Sequence, residues 1–141
     1  MTGYAHEIAA AAERFKLDPV LVEAVVLTES AGRTHAYRYE PQFYAKYLYG
    51  KPEWMHDIPE RVSASYGLMQ IMYVTAREVG FTQSAPEYLF VPEIGLEFGC
   101  RKLRQVLLGV RQAPRTRLGL ASLRIRLRPR TRCVRRPKGR H

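Results

Sequence analysis

The 141 residues, 46% of them apolar and 11% aromatic, suffice for one domain with a sizeable core, which excludes two domains and a chain disordered throughout. No run of about 20 apolar residues is present, so no helix is expected to span a membrane. The net charge of +10 is split unevenly: residues 1–109 hold 11 Lys and Arg against 13 Asp and Glu, whereas residues 110–141 hold 12 Lys and Arg and no acid. That shift in composition places a domain at 1–109 and an Arg-rich irregular tail at 110–141. Cys100 and Cys133 form no metal-ligand pattern, and His6, His35, His56 and His141 lack zinc spacing, so neither metal nor cofactor is expected. Met1 to Ala12 has no basic start followed by an apolar stretch, so no secretory leader is recognisable and the compartment stays open.

Taken along the chain, Ala5 to Phe15 reads as an amphipathic helix through Ile8, Ala9, Ala12 and Phe15. Asp18-Pro19 is a helix-start signal, and the segment from Pro19 to Glu29 or Ser30 is apolar nearly all round, ended by Ala31-Gly32. A short helix is predicted around Gln42 to Leu48, and Gly50, Pro52 and Pro59 mark a loop. Ser63-Ala64-Ser65 is expected to cap a helix from about Tyr66 to Val79 that closes at Gly80. A turn follows between Gln83 and Phe90, and a last helix runs from Val91-Pro92-Glu93 to about Leu108. With no sustained two-residue alternation, the expected fold class is all-α or α with minimal β.

Two segments carry chemistry. Positions 22, 25, 26 and 29 share one helix face, and three of them are Val, so Glu29 emerges from an apolar side in the last helical turn. Burial and the negative helix end both favour a protonated carboxylic acid, the form that protonates a glycosidic oxygen. Glu23 lies off that face and is expected to be solvated. The second segment is Ser65-Tyr66-Gly67-Leu68-Met69-Gln70-Ile71-Met72. Leu68, Ile71 and Met72 read as core. Gly67 would let a ligand approach the backbone, Met69 would give a mouldable wall, and Gln70 would offer a donor and an acceptor to sugar hydroxyls and acetamido groups.

A Glu-Ser pair ending a buried helix, followed by Gly-Leu-Met-Gln-Ile at Gly67 to Ile71, resembles the soluble lytic transglycosylase family with its lysozyme-like fold. The resemblance runs from about Ala5 to Leu108 and includes Leu17-Asp18-Pro19, Glu40-Pro41, Thr75-Ala76 and Pro92 to Leu103. It implies cleavage of the bond between N-acetylmuramic acid and N-acetylglucosamine in peptidoglycan, with a 1,6-anhydro product and no cofactor. Glu29 would serve as acid and then base, assisted by the substrate's acetamido group. Ser30 would position substrate or acid, and Gly67, Met69 and Gln70 would line the groove. Glu40 is expected to brace its loop and not to act as a second catalytic carboxylate. Tyr37, Tyr39, Phe43, Tyr44 and Tyr47 are candidates for stacking on sugars, the last three being better placed for the core.

The family pattern continues with a further helix bearing an Ala-Tyr-Asn motif, and this chain has no tyrosine after Tyr88. From Arg111 it turns to Arg, Leu, Pro and Gly, and Leu123, Ile125 and Leu127 alternate with Arg124, Arg126 and Arg128. Three readings compete for this tail: a binder of nucleic acid or anionic cell-wall polymer, a tail without a partner, and a frameshift product of a GC-rich gene. The frameshift is favoured, and translation of the other two frames tests it. Nucleic-acid binding is expected only non-specifically through residues 110–141, and a monomer acting on peptidoglycan glycan strands is the leading expectation. A bare domain of this kind fits a phage or mobile element. The alternative is a catalytically impaired, glycan-binding remnant of the family.

Overall fold

A computed structural model describes residues 3–111, with side chains to residue 109. The expectations for residues 112–141, including Leu118 to Leu127 and Cys133, lie outside the described residues.

The amino-terminal half of the fold follows its local signals. Helix α1 (Ala5–Arg14) buries Ile8 and Ala12, one turn apart. Helix α2 (Pro19–Ser30) starts where the Asp18 carboxylate accepts from the Val20 N–H at 2.9 Å, with Pro19 in the first turn. It ends with Ala31 in the left-handed conformation (φ 53°), followed by Gly32 (φ 75°). Helix α2 is less enclosed than its composition implies: Val22, Val25 and Val26 are buried, but Val20 is 71% and Leu27 46% exposed. After strand β1 (Tyr37–Tyr39) comes the short α3 (Pro41–Phe43), which continues as a π-helical segment, Tyr44–Leu48. Phe43 is buried there, and Tyr44 and Tyr47 pack partly buried against the same core.

The predicted helix from Tyr66 to Val79 is replaced by a hairpin. After α4 (Pro59–Val62), strand β2 (Ala64–Tyr66) turns through Gly67 to Gln70 into β3 (Ile71–Met72), and only then does α5 (Tyr73–Glu78) begin. The antiparallel sheet has the order β1-β2-β3, with Tyr37 opposite Tyr66 and Tyr66 opposite Ile71. Leu68, Ile71 and Met72 sit at spacings of three and four and so mimic a helical stripe. Gly67 (φ 75°) and Gln70 (φ 49°) break it, because neither conformation belongs to a helix.

The described residues end with a 3₁₀ turn, Pro86–Phe90, and α6 (Pro92–Arg111), which runs through Gly109 instead of stopping before it. Helix α6 buries Leu96, Cys100 and Leu103 along one stripe. Two cores result. One joins the sheet, α5 and Leu89; the other joins α1, α2 and α6 around Leu68 and Met69. The tip of the hairpin thus plugs the helical core, where Leu68 and Met69 are 1% and 2% exposed. Burial of each contributes roughly 2 kcal/mol.

Candidate active site

Glu29 lies in the last turn of α2, half-buried, on the wall of an open cavity of about 520 Å³. Gln70 comes to this cavity from the hairpin, and Arg33, His35, Tyr37 and Arg38 come from the segment that leads from α2 into β1. Glu29 is the only carboxylate among the described residues lining it. The structure therefore joins Glu29 and Gln70, as the two motifs imply, and adds four polar side chains. Only Tyr37 of these was a candidate from the sequence, as a sugar-stacking ring. The others carry no local pattern; their signal is proximity in sequence to Glu29 on a chain that must turn straight back into the sheet.

The remaining motif residues are committed to the scaffold. The Ser30 hydroxyl is 2% exposed and lies 2.8 Å from the Leu68 carbonyl and 3.0 Å from that of Val26, sharing its one proton between α2 and the hairpin tip. Met69 has no groove face: its sulfur packs 3.8 Å from the Cys100 thiol. A Cβ on Gly99 would fall 2.5 Å from that sulfur, so Gly99 supplies the space Met69 occupies. Burial pushes the Cys100 thiol up to about 12. A Cβ on Gly67 would collide with the Leu89 carbonyl oxygen, so the close approach that needs this glycine comes from the protein's own backbone.

The backbone around the cavity is fastened at one atom. The Ala36 carbonyl accepts from the Gly67 N–H at 2.9 Å and from Gln70 Nε2 at 2.8 Å. Gln70 Nε2 also donates to the Gly67 carbonyl at 3.1 Å. Both donors of the amide thus face carbonyls inside the protein, and its oxygen is the atom suited to accept from a ligand. The two lining rings, His35 and Tyr37, contact rings that are not part of the wall: His35 lies 5.6 Å from Phe90, Phe90 5.2 Å from Tyr66, and Tyr66 5.6 Å from Tyr37 between ring centroids. The Tyr37 hydroxyl donates to the Glu60 carbonyl at 2.5 Å. Desolvation, then the nearby Glu60 charge, pushes its pKa above the usual phenol value.

Glu40 is absent from the cavity wall. Its N–H donates to the Ser63 carbonyl at 2.7 Å, its carbonyl accepts from the Ser63 hydroxyl at 2.7 Å, and its carboxylate faces Arg38 at 3.4 Å. These contacts tie the residue before α3 to Ser63, between α4 and β2, and to Arg38 of β1.

A larger cavity, about 580 Å³, lies between the 47–57 segment and α5, walled by Tyr47, Trp54 and Tyr73 and holding Glu53, Asp57 and Glu78. Desolvation raises the Glu78 carboxyl above its ordinary range, against the pull of Lys102 at 3.8 Å. The two cavities share no lining residue. A perturbed carboxyl in a cleft makes Glu78 the rival to Glu29 as a proton donor. The Glu78 cavity, however, draws no residue from either motif.

Among the described residues no helix is long and apolar enough to cross a membrane. No curated protein and no solved structure matches the chain. The family model for the transglycosylase SLT domain does match, over residues 6–122, which extends beyond residue 109 and includes Glu29, Ser30 and the whole hairpin. With most of its length covered by that model, the chain belongs to the transglycosylase SLT domain family.

Proposed function

We propose that this protein is a peptidoglycan lytic transglycosylase in which Glu29 acts as general acid and then as general base. The observation that carries this reading is a carboxylate, single among the described lining residues, opening from the end of α2 into a polar cavity that Tyr37 also lines. A cavity with one carboxylate suits substrate-assisted cleavage better than the two-carboxylate scheme of most glycosidases.

In the first step Glu29 gives its proton to the glycosidic oxygen of the N-acetylglucosamine leaving group as the bond to C1 of N-acetylmuramic acid breaks. The neighbouring acetamido oxygen takes up the positive charge at C1. In the second step the C6 hydroxyl attacks C1 and passes its proton to the Glu29 carboxylate. The 1,6-anhydro ring closes, the acid is restored and no water is consumed. Gln70 offers its amide oxygen to a sugar hydroxyl or acetamido N–H, and Tyr37, 47% exposed, offers a ring face.

Incubation with purified peptidoglycan followed by mass analysis of the soluble fragments tests the assignment. The chain should release fragments with anhydro ends. Glu29→Gln should cut that release at least 100-fold, and Glu78→Gln should leave it within about threefold. Hydrolysed ends instead of anhydro ends would overturn the mechanism. Loss of activity in Glu78→Gln with retention in Glu29→Gln would move the site to the larger cavity.

A further inference from the structure

The domain as a whole is acidic, with 13 Asp and Glu against 11 Lys and Arg over residues 1–109, yet the wall of the Glu29 cavity sets two arginines and a histidine against one carboxylate. Among the lining side chains cations thus outnumber acids, and the Glu40 carboxylate beside Arg38 stands just outside the wall. Each arginine is held by its Nε. Arg33 Nε donates to the Ser30 carbonyl at 3.2 Å, at the negative end of α2, and Arg38 Nε lies 3.4 Å from a Glu40 oxygen. Holding a guanidinium at Nε leaves its paired terminal nitrogens as the fork that matches a carboxylate. Arg33 is exposed and the Arg38 side chain is 52% exposed, so both forks are reachable from the cavity mouth.

We infer that Arg33 and Arg38 make the Glu29 cavity a reader of carboxylates on the glycan, favouring strands that carry an anionic group beside the bound sugars over neutral ones. This rests on the assignment of the glycan site to the Glu29 cavity. The carboxylate has two sources: the lactyl group of a peptide-free muramic acid, or the peptide attached there. A fork at the cavity mouth takes either.

The rival role for Arg33 is a helix C-cap alone, which would alter stability without regard to ligand charge. The basic segment 110–141 also attracts anions, so the test compares substitutions within the full chain. In a Glu29→Gln background, affinities are measured for four soluble fragments: peptide-free muramyl strands, peptide-bearing strands, the same peptide-bearing strands with carboxylates converted to amides, and neutral N-acetylglucosamine oligomers. The ratio of affinity for carboxylate-bearing over amidated strands should fall about tenfold in Arg33→Gln/Arg38→Gln, and the loss should shrink as salt rises. The control pair Lys51→Gln/Arg77→Gln, which removes the same charge at the other cavity, should leave the ratio within about twofold. Whether the peptide-free or the peptide-bearing strand loses more identifies the source of the carboxylate. An unchanged ratio in the arginine pair, or an equal fall in the control pair, overturns the inference. Failure of the Glu29 assignment shows up separately, as cleavage products in the Glu29→Gln samples.

Discussion

The end of α2 and the hairpin tip carry the two family motifs, and the fold uses them in opposite ways. At the end of α2, Glu29 is half-buried and opens to a cavity, while its neighbour Ser30 is sealed at 2% exposure. At the hairpin tip, Leu68 and Met69 fill the helical core, Gly67 gives way to the Leu89 carbonyl, and only Gln70 reaches the cavity. Of Glu29, Gly67, Met69 and Gln70, the motif residues expected at the groove, Glu29 and Gln70 line the cavity. Ser30, expected to position substrate or acid, donates to the Leu68 carbonyl and so ties the helix of Glu29 to the loop that carries Gln70. A motif marks where chemistry happens, but most of its residues can serve the geometry and not the ligand.

The comparison breaks most readily at Glu29. Glu29→Gln should abolish at least 99% of turnover yet shift the unfolding midpoint by no more than about 2 °C, since the side chain is at a cavity wall and the swap conserves its shape. A large fall in stability would place Glu29 among the scaffold residues. Met69→Ala should do the reverse. It empties a site lined by Cys100 and Gly99 and should cost roughly 2–5 kcal/mol in denaturant unfolding. A Met69→Leu variant of similar volume should recover most of that and retain activity. Loss of glycan affinity in a stable Met69→Leu protein would return Met69 to the groove.

Ser30→Ala sharpens the contrast because it sits beside the acid. It removes the hydroxyl that faces the carbonyls of Val26 and Leu68 and leaves the Leu68 acceptor buried, at about 1–3 kcal/mol. Turnover should fall through loss of positioning, by less than in Glu29→Gln, with the pH profile of the residual activity unchanged. A shifted profile at unaltered stability would show that Ser30 acts on the Glu29 proton directly.

What the sequence discloses and what it conceals divide along the same physical line. The Asp18-Pro19 start of α2 depends on one side chain and the N–H two residues on, so it can be read locally. The docking of β1 on the hairpin pairs Tyr37 with Tyr66 across 28 intervening residues, which no local spacing reports. Apolar residues 68, 71 and 72 fit a helix and a core-plugging turn equally well. The positive φ at Gly67 and Gln70 decides between them, and a glutamine in that conformation has no sequence signature. Glu29 and Gln70 were recoverable as motif members, whereas Arg33, His35 and Arg38 join the site only once β1 has docked on β2.

The smallest expected effect belongs to Thr75, in the Thr75-Ala76 pair that is part of the family resemblance. Its hydroxyl is buried at 0% exposure in α5, with no hydrogen-bond partner among the described residues. It lies outside the Glu29 cavity wall and bonds to no acceptor among the described residues, so it falls on neither side of the division between α2 and the hairpin. A buried hydroxyl without a partner opposes folding, and an isosteric methyl removes that penalty. Thr75→Val should therefore leave turnover unchanged and stabilise the domain by about 0–1 kcal/mol, a rise of at most a few degrees in the unfolding midpoint. A loss of 1 kcal/mol or more would instead give the hydroxyl a partner, such as an ordered water, and move Thr75 into the scaffold with Ser30.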